Sequence, residues 1–362
     1  MPSPVRVLVV DDSSLMRQLL STLLAEDPEI EVVGTAPDPL VARERIKELN
    51  PDVITLDVEM PHMDGVSFLR KIMTLRPMPV VMISTLTQAG AEITLEALEI
   101  GAVDFIAKPV NNVAQELAAI AGDLQAKVKA AARTKIGAHR AAAAAVAPRP
   151  PRAHKFVSSG DKIVLIGAST GGVEALKAVL MGLPGDCPPI LITQHMPPRF
   201  TAAFAERLNR ECPMTVSEAR QDDVVEQGHV YIAPGSHHLE LVRKGTGFAC
   251  AINEGPPVSG HRPSVDVLFR SGVRSAAAKA VGVILTGMGK DGADGLVELR
   301  RSGAMTIGQD EATALIYGMP RVAFERGGVA KQLPLSHIAD AILDACGVPH
   351  PAHDSSPARK AS

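Results

Sequence analysis

The run Ile163-Val164-Leu165-Ile166-Gly167-Ala168-Ser169-Thr170-Gly171-Gly172 is followed by Val173-Glu174-Ala175-Leu176-Lys177-Ala178-Val179-Leu180, and together they read as strand, tight turn and helix. Four successive apolar residues suit a strand covered on both faces, and the apolar positions after the turn recur at helical spacing. Turns of this kind build parallel α/β sheets, which place their sites outside the carboxyl ends of the strands. A serine among glycines at such a turn has three readings. It can be an elbow that projects a nucleophilic hydroxyl, a loop whose N–H groups cradle a phosphate at a helix N-terminus, or an ordinary turn with a serine N-cap. The turn alone leaves all three open.

A chain of 362 residues is too long for one ordinary core, so two domains are expected. A hydrophobic content of 46% beside 21% charged residues describes a globular protein, and the absence of Trp makes its cores aliphatic. Cys187, Cys212, Cys250 and Cys346 lie far apart with no Cys-x-x-Cys pair, which argues against a zinc site or disulfide framework and fits a reducing cytosol. The run Val7–Val10 is too short for a signal peptide and ends in Asp11-Asp12. No stretch approaches the roughly 20 apolar residues that span a bilayer. The expectation is a cytoplasmic protein with no direct membrane insertion.

Residues 1–125 alternate short apolar runs with amphipathic segments. The strands are Val5–Val10, Ile30–Val33, Val53–Leu56, Val80–Ile83 and Val103–Ile106, with helical patterns between them. Five strands alternating with helices indicate a doubly wound parallel sheet. Asp11 and Asp12 end the first strand, Asp57 the third, Ser84 the fourth and Lys108-Pro109 the fifth. Carboxylates converging on one edge repel one another unless a cation joins them, and a hard divalent ion, Mg²⁺, is the expected guest. A lysine and a hydroxyl aimed at the same place suit the oxygens of a phosphoryl group. Acidic residues also end strands as caps or solvated charges, which would account for one aspartate but not for the whole set.

On these residues the segment from about 4 to 125 resembles the response-regulator receiver domain, a flavodoxin-like fold. The resemblance implies phosphorylation of Asp57 by a histidine kinase. It implies Mg²⁺ held by Asp12, Asp57 and the main-chain carbonyl of Glu59, with Asp11 in support. Lys108 would pair with the phosphoryl oxygens, Ser84 would be the switch hydroxyl and Phe105 the switch aromatic. By the same resemblance the Lys108–Pro109 bond is expected to be cis.

Residues 126–160 change character. Between Lys127 and Lys155 there are eight Lys/Arg and no Asp/Glu, with an alanine run (Ala141–Ala145) and Pro148-Arg149-Pro150-Pro151. Alanine favours helix and proline breaks it, so a semi-rigid basic linker is expected. Contact with nucleic acid is disfavoured because aromatic residues for base stacking are nearly absent. Residues 161–347 return to α/β alternation, with Leu239–Val242 and Gly247–Ile252 suggesting a β-hairpin added to the sheet. Residues 348–362 read as a disordered tail.

Two further strand ends in this second domain match Ser169. Ile190–Gln194 leads into His195-Met196-Pro197, and Val283-Ile284-Leu285 leads into Thr286-Gly287-Met288-Gly289-Lys290-Asp291-Gly292. A serine hydroxyl is hardly ionised at neutral pH. A histidine can take its proton, and an aspartate can fix the tautomer and stabilise the imidazolium. Each residue has a blander reading alone, and Asp291 could simply cap the next helix, but the joint placement favours a triad. His237-His238 follow a Pro-Gly turn and His261 lies in a Gly/Pro-rich loop, which makes them weaker candidates; Asp266 reads as a helix-start charge. The order Ser…His…Asp differs from the Ser…Asp…His of the usual elbow hydrolases. A dinucleotide site lacks its Gly-x-Gly-x-x-Gly spacing, and a P-loop lacks its Gly-Lys-Ser/Thr.

With Gly167–Gly172, Gln194-His195-Met196, Tyr231-Ile232-Ala233-Pro234-Gly235 and Thr286–Gly292 all present, the second domain resembles the catalytic domain of the bacterial chemotaxis protein-glutamate methylesterases, the CheB family. The resemblance implies Ser169 as nucleophile, His195 as general base, Asp291 as its orienting partner and the Met288 backbone N–H in the oxyanion hole. It further implies hydrolysis of glutamate methyl esters on the cytoplasmic domains of chemoreceptors, with release of methanol. Deamidation of receptor glutamines, and a receiver that covers the site until Asp57 is phosphorylated, are implied as well. A transcriptional regulator is the rival from another class, since receivers often precede DNA-binding domains; it requires a short helical reading head where this chain has α/β alternation. A phosphate-binding module built on residues 167–172 is a third reading.

Overall fold

The computed structural model describes residues 3–60, 63–85, 87–108, 113–134 and 162–347, with backbone alone at 113–119. The Lys108–Pro109 bond, the Ala/Pro-rich stretch of the expected linker and the expected tail lie outside them. The N-terminal unit runs β1 (Val5–Val10), α1 (Ser14–Ala25), β2 (Ile30–Ala36), α2 (Pro39–Leu49), β3 (Val53–Asp57), α3 (Gly65–Leu75), β4 (Val80–Thr85), α4 (Gln88–Ile100), β5 (Asp104–Lys108) and α5 (Val113–Ala132). Its strands lie in the order β2-β1-β3-β4-β5, all parallel. The chain reverses its direction of winding between β1 and β3, so Asp11, Asp12 and Asp57 border the crevice where such sheets bind ligands. Local signals agree with this arrangement: Ser13 caps α1 through the Met16 N–H, and Asp38 caps α2 just before Pro39.

The second unit runs β6 (Ile163–Ala168), α6 (Gly172–Met181), β7 (Ile190–Gln194), α7 (Phe200–Glu211), β8 (Thr215–Glu218), β9 (His229–Ile232), β10 (His238–Lys244) and β11 (Gly247–Asn253). It continues with α8 (Val265–Ser275), β12 (Ala280–Ile284), α9 (Ala293–Arg301), β13 (Met305–Gln309), α10 (Met319–Glu325), β14 (Lys331–Leu333) and α11 (Leu335–Ala345). Seven parallel strands take the order β14-β13-β12-β6-β7-β9-β8, so the winding reverses between β12 and β6. That crevice lies between the turn carrying Ser169 and the loop carrying Thr286–Asp291.

The expected hairpin is present as β10 and β11, but it forms its own two-stranded ladder and does not extend the sheet. Its attachment is to α8: Leu241 N–H donates to the Ser271 hydroxyl at 2.8 Å, and the Ser275 hydroxyl donates to Leu241 O at 2.7 Å. Side chains of a helix thus satisfy backbone groups that a neighbouring strand would otherwise take.

Helices α8 and α9 cover one face of the sheet, and α8 approaches β6 and α9 at small residues. A Cβ on Gly272 would lie 2.3 Å from Leu165 Cδ1, and one on Gly295 would lie 2.9 Å from Phe269 Cβ. On the opposite face, the apolar cluster that includes Val173, Leu176, Phe200, Phe204 and Ile338 is continuous with the core of the N-terminal unit. Replacing Gly295 by Val should overpack the α8–α9 contact and cost about 1–3 kcal/mol. The expected observation is a lower urea midpoint of the transition that involves the second unit; an unchanged midpoint contradicts the packing account.

Candidate active site

Three neighbouring strands deliver the expected residues to one edge. β6 ends at Ala168, and Ser169 begins the turn into α6, its N–H bonded to Thr286 O at 3.0 Å. β7 ends at Gln194, and His195 N–H donates to Ala168 O at 3.2 Å. The Gln194 amide Nε2 donates to Ser169 O at 3.0 Å and to His195 O at 3.3 Å, bracing both loops from a buried position. β12 leads through Leu285 and Thr286 to Asp291.

The imidazole of His195 meets Asp291 through Nε2, 2.8 Å from Oδ2, while its Nδ1 is buried with no hydrogen-bond partner. Asp291 is 1% exposed. Burial alone would raise its pKa, but the His195 contact and main-chain and hydroxyl donors hold it below the usual carboxylate range. Those donors are the N–H groups of Val265 (2.7 Å) and Asp266 (3.1 Å) and the Ser264 hydroxyl (2.8 Å). Asp291 therefore sits on the N-terminus of α8, where the helix dipole favours an anion. Asp266 has a larger part than a helix-start charge: it is buried, and its Oδ1 accepts from Gly295 N–H at 2.7 Å, joining α8 to α9.

The loop with Met288 is held by a segment that sequence reasoning passed over. Thr286 N–H donates to the Gln309 side chain at 2.7 Å, and the Thr286 hydroxyl donates to Thr170 O at 3.0 Å. Gly287 N–H donates to Ile316 O at 3.0 Å, and Gly287 O accepts from Gly318 and Met319. The main-chain N–H groups of Thr170 and Met288 make no hydrogen bond among the described residues, so both remain available as oxyanion donors. Buried Gln309 offered a signal only in hindsight, as a polar residue ending a strand.

In the N-terminal unit, Asp11, Asp12 and Asp57 present carboxylate oxygens within 4.8 Å of one another. The Lys108 ammonium lies 3.0 Å from Asp11 Oδ2 and 2.8 Å from Asp57 Oδ2, both buried oxygens without a well-directed hydrogen bond. Burial pushes Asp57 up to about 6 against the pull of Lys108. Glu59 donates its N–H to Asp57 Oδ1 at 3.3 Å. The Ser84 hydroxyl points to α4: it donates to Gly90 O at 3.3 Å and accepts from Thr94 at 2.6 Å.

The two sites are joined through β5. Phe105 is buried and stacks on Phe200, the first residue of α7, with ring centroids 4.4 Å apart. The Thr170 hydroxyl, next to Ser169, donates to Asp104. Lys127 on α5 bonds Phe105 O at 2.8 Å and pairs with Asp104 at 3.4 Å. Glu99 on α4 pairs with Lys177 at 2.6 Å and with Arg207, and both cations also pair with Glu211.

An acidic crevice with a lysine on one sheet, and a serine, a His–Asp pair and free N–H donors on another, define a response regulator whose output domain is of hydrolase type. The comparisons with known proteins name the family. Residues 164–342 match the model described as CheB methylesterase, and residues 7–120 match the response regulator receiver domain. The chain is 57% identical over 341 residues to "Protein-glutamate methylesterase/protein-glutamine glutaminase 1" of Caulobacter vibrioides, covering 94% of this chain and 97% of that one. It is 52% identical to the Salmonella typhi protein-glutamate methylesterase/protein-glutamine glutaminase, with the same shares covered. The crystal structure of the Thermotoga maritima CheB methylesterase catalytic domain superposes with a TM-score of 0.50 at 36% identity, covering 51% of this chain and 98% of that one. This chain belongs to the protein-glutamate methylesterase family, with a receiver domain followed by a methylesterase domain.

Replacing Asp291 by Asn should leave the fold intact while favouring the wrong His195 tautomer, and should lower kcat by about 10³–10⁴-fold. Retention of more than a tenth of the activity would contradict an orienting role for Asp291.

Proposed function

We propose that the chain is a phosphorylation-gated serine hydrolase that demethylates glutamate methyl esters, and deamidates glutamines, on the cytoplasmic domains of chemoreceptors. One observation carries the reading: the His195–Asp291 contact uses Nε2 and leaves Nδ1 free at the edge that holds Ser169. Ser169 Oγ attacks the ester carbonyl while His195 Nδ1 takes the hydroxyl proton, and the charge that develops on the carbonyl oxygen faces the Thr170 and Met288 N–H groups. Collapse of the tetrahedral species breaks the bond to the methoxy oxygen, which takes the proton back from His195 and leaves as methanol. Water, deprotonated by His195, then hydrolyses the acyl-enzyme to glutamate. A glutamine substrate follows the same steps, with ammonia leaving.

Asp57 is the phosphorylation site in this reading, with a histidine kinase as donor. Buried oxygens on Asp11 and Asp57, with the exposed Asp12 carboxylate within 4.8 Å of them, suit a hard divalent cation, Mg²⁺, which the Glu59 carbonyl would help to hold. When bound, the ion neutralises phosphoryl oxygens. Lys108 pairs with the same oxygens, and Ser84 leaves α4 to reach them. Phe105 follows, and the contact with Phe200 is lost, along with the Asp104–Thr170 bond beside the nucleophile. The work is cytoplasmic, where receptor helices and the kinase are found; no helix among the described residues is long and apolar enough to cross a membrane.

Replacing Ser169 by Ala should abolish methanol release from methylated receptor membranes and leave Asp57 phosphorylation intact; substantial residual release would sink the nucleophile assignment. Replacing Glu99 by Gln removes the receiver's anion that pairs with Lys177 and Arg207, leaving both cations to Glu211. Activity without a phosphoryl donor should then rise about 5- to 30-fold, the equivalent of roughly 1–2 kcal/mol of lost closure. No rise would show that these ion pairs do not hold the cover.

A further inference from the structure

The imidazole of His261 lies flat on that of His195, with ring centroids 3.8 Å apart and planes inclined by 11°. His261 is set there by a two-residue turn. Val258 and His261 exchange both main-chain hydrogen bonds at 3.0 Å, across Ser259 and Gly260 with φ of 54° and 82°. Arg262 anchors the turn by donating to Glu254 O (2.9 Å) and Gly255 O (3.0 Å). Ser264, three residues on, gives its hydroxyl to Asp291. One short loop therefore presses on the face of the base and also caps the base's partner.

We propose that His261 is a positioning residue for the hydrolysis, a neutral aromatic platform that fixes the plane of the His195 ring and stabilises the imidazolium formed when Ser169 gives up its proton. The inference rests on the triad reading above. The bond to Asp291 fixes His195 at one atom and leaves the ring free to tilt about that contact; a stacked face removes the tilt. A π face over a forming cation is also favourable, provided that the platform carries no charge. His261 meets that condition: burial, and then the neighbouring His195, push its pKa down to about 4. The other charged groups facing it are Asp291, and Asp123 and Lys127 from α5, which act in opposite directions. At neutral pH the upper ring is therefore uncharged while the lower one takes and returns a proton.

The test uses the full chain with a small phosphoryl donor and methylated receptor membranes, and follows methanol release. His261→Ala should lower kcat about tenfold with KM within about twofold, the loss of one stacked aromatic contact. His261→Phe restores a flat neutral ring and should recover most of that loss. His261→Arg places a permanent cation in the stack. His195 then protonates less readily, and the acid limb of kcat/KM should move to lower pH by about one unit. The stack also predicts ring-current shifts of the His195 ring protons in NMR spectra, present in the wild type and in His261→Phe and absent in His261→Ala. Should the alanine variant fold poorly, the Phe and Arg variants decide between the alternatives. Equal impairment of the Ala and Phe variants with an unmoved acid limb would make His261 a space-filling residue and overturn the proposal, as would wild-type kcat in His261→Ala. Ser169→Ala, run in parallel, separates the two readings: if it keeps activity, the triad fails and this inference with it.

Discussion

A carboxylate that must stay ionised while almost fully enclosed sets the terms for the catalytic domain. Asp291 is 1% exposed, and an unpaired charge in such a place would be neutralised by proton uptake. Four donors prevent this: the His195 ring, the Ser264 hydroxyl, and the N–H groups of Val265 and Asp266 at the start of α8. The helix must begin at that spot for the charge to survive. Its placement in turn depends on close approach to β6 and α9 at Gly272 and Gly295. Remote glycines and the acidity of one aspartate are thus parts of the same constraint. The His195 tautomer follows from it, because an ionised Asp291 accepts only, and so requires a proton on Nε2.

The receiver engages the residues next to Ser169 and the start of α7, and it does so through β5, the strand that carries Phe105 and Lys108. Asp104 takes the Thr170 hydroxyl, and Phe105 takes the ring of Phe200. Three residues further, Lys108 sits on Asp57 and Asp11. A change of partner at Lys108 and a change of contact at Phe105 are therefore separated by one short strand. In this arrangement the Ser84 hydroxyl is held by Gly90 and Thr94. A ligand shifts such an equilibrium only through contacts that differ between the two states. Ser84 offers such a difference, because one hydroxyl cannot serve α4 and a phosphoryl group together.

Much of this was legible in the sequence because buried parallel strands and strand-end polar residues leave strong local patterns. Val7–Val10 and Ile163–Ile166 could hardly be anything but central strands, and the residues after them were readable as site candidates. Strands β13 and β14 were harder. Met305-Thr306-Ile307-Gly308-Gln309 mixes polar and small residues, since Gly308 must admit the Val329 side chain and Gln309 must reach Thr286. The role of His261 was hidden for another reason. Stacking on His195 joins residues 66 positions apart, and a Gly/Pro-rich loop gives no periodicity from which to infer it. Buried Asp266 resembled an ordinary first-turn acid because its partner, Gly295 N–H, belongs to another helix.

The turn at residues 167–172 admits three uses in principle, and its glycines bear on two of them, the phosphate cradle and the N-cap. A phosphate cradle needs open N–H groups and empty space before the helix. Here the Gly172 N–H already donates to Ser169 O at 2.7 Å. A Cβ on Gly172 would lie 2.0 Å from Gln194 Oε1, and one on Gly171 would lie 2.8 Å from the Leu315 side chain. The space that glycine creates is filled by the chain itself: by the amide that braces Ser169 and His195, and by the segment that braces the Met288 loop. An N-cap role for Ser169 is also absent, since Gly171, with φ of 77°, precedes α6 and no side chain caps it. What remains is a serine whose hydroxyl is not spent on capping the helix. Its neighbours on both sides are tied down, which suits the proposed use of its hydroxyl in attack on a carbonyl carbon.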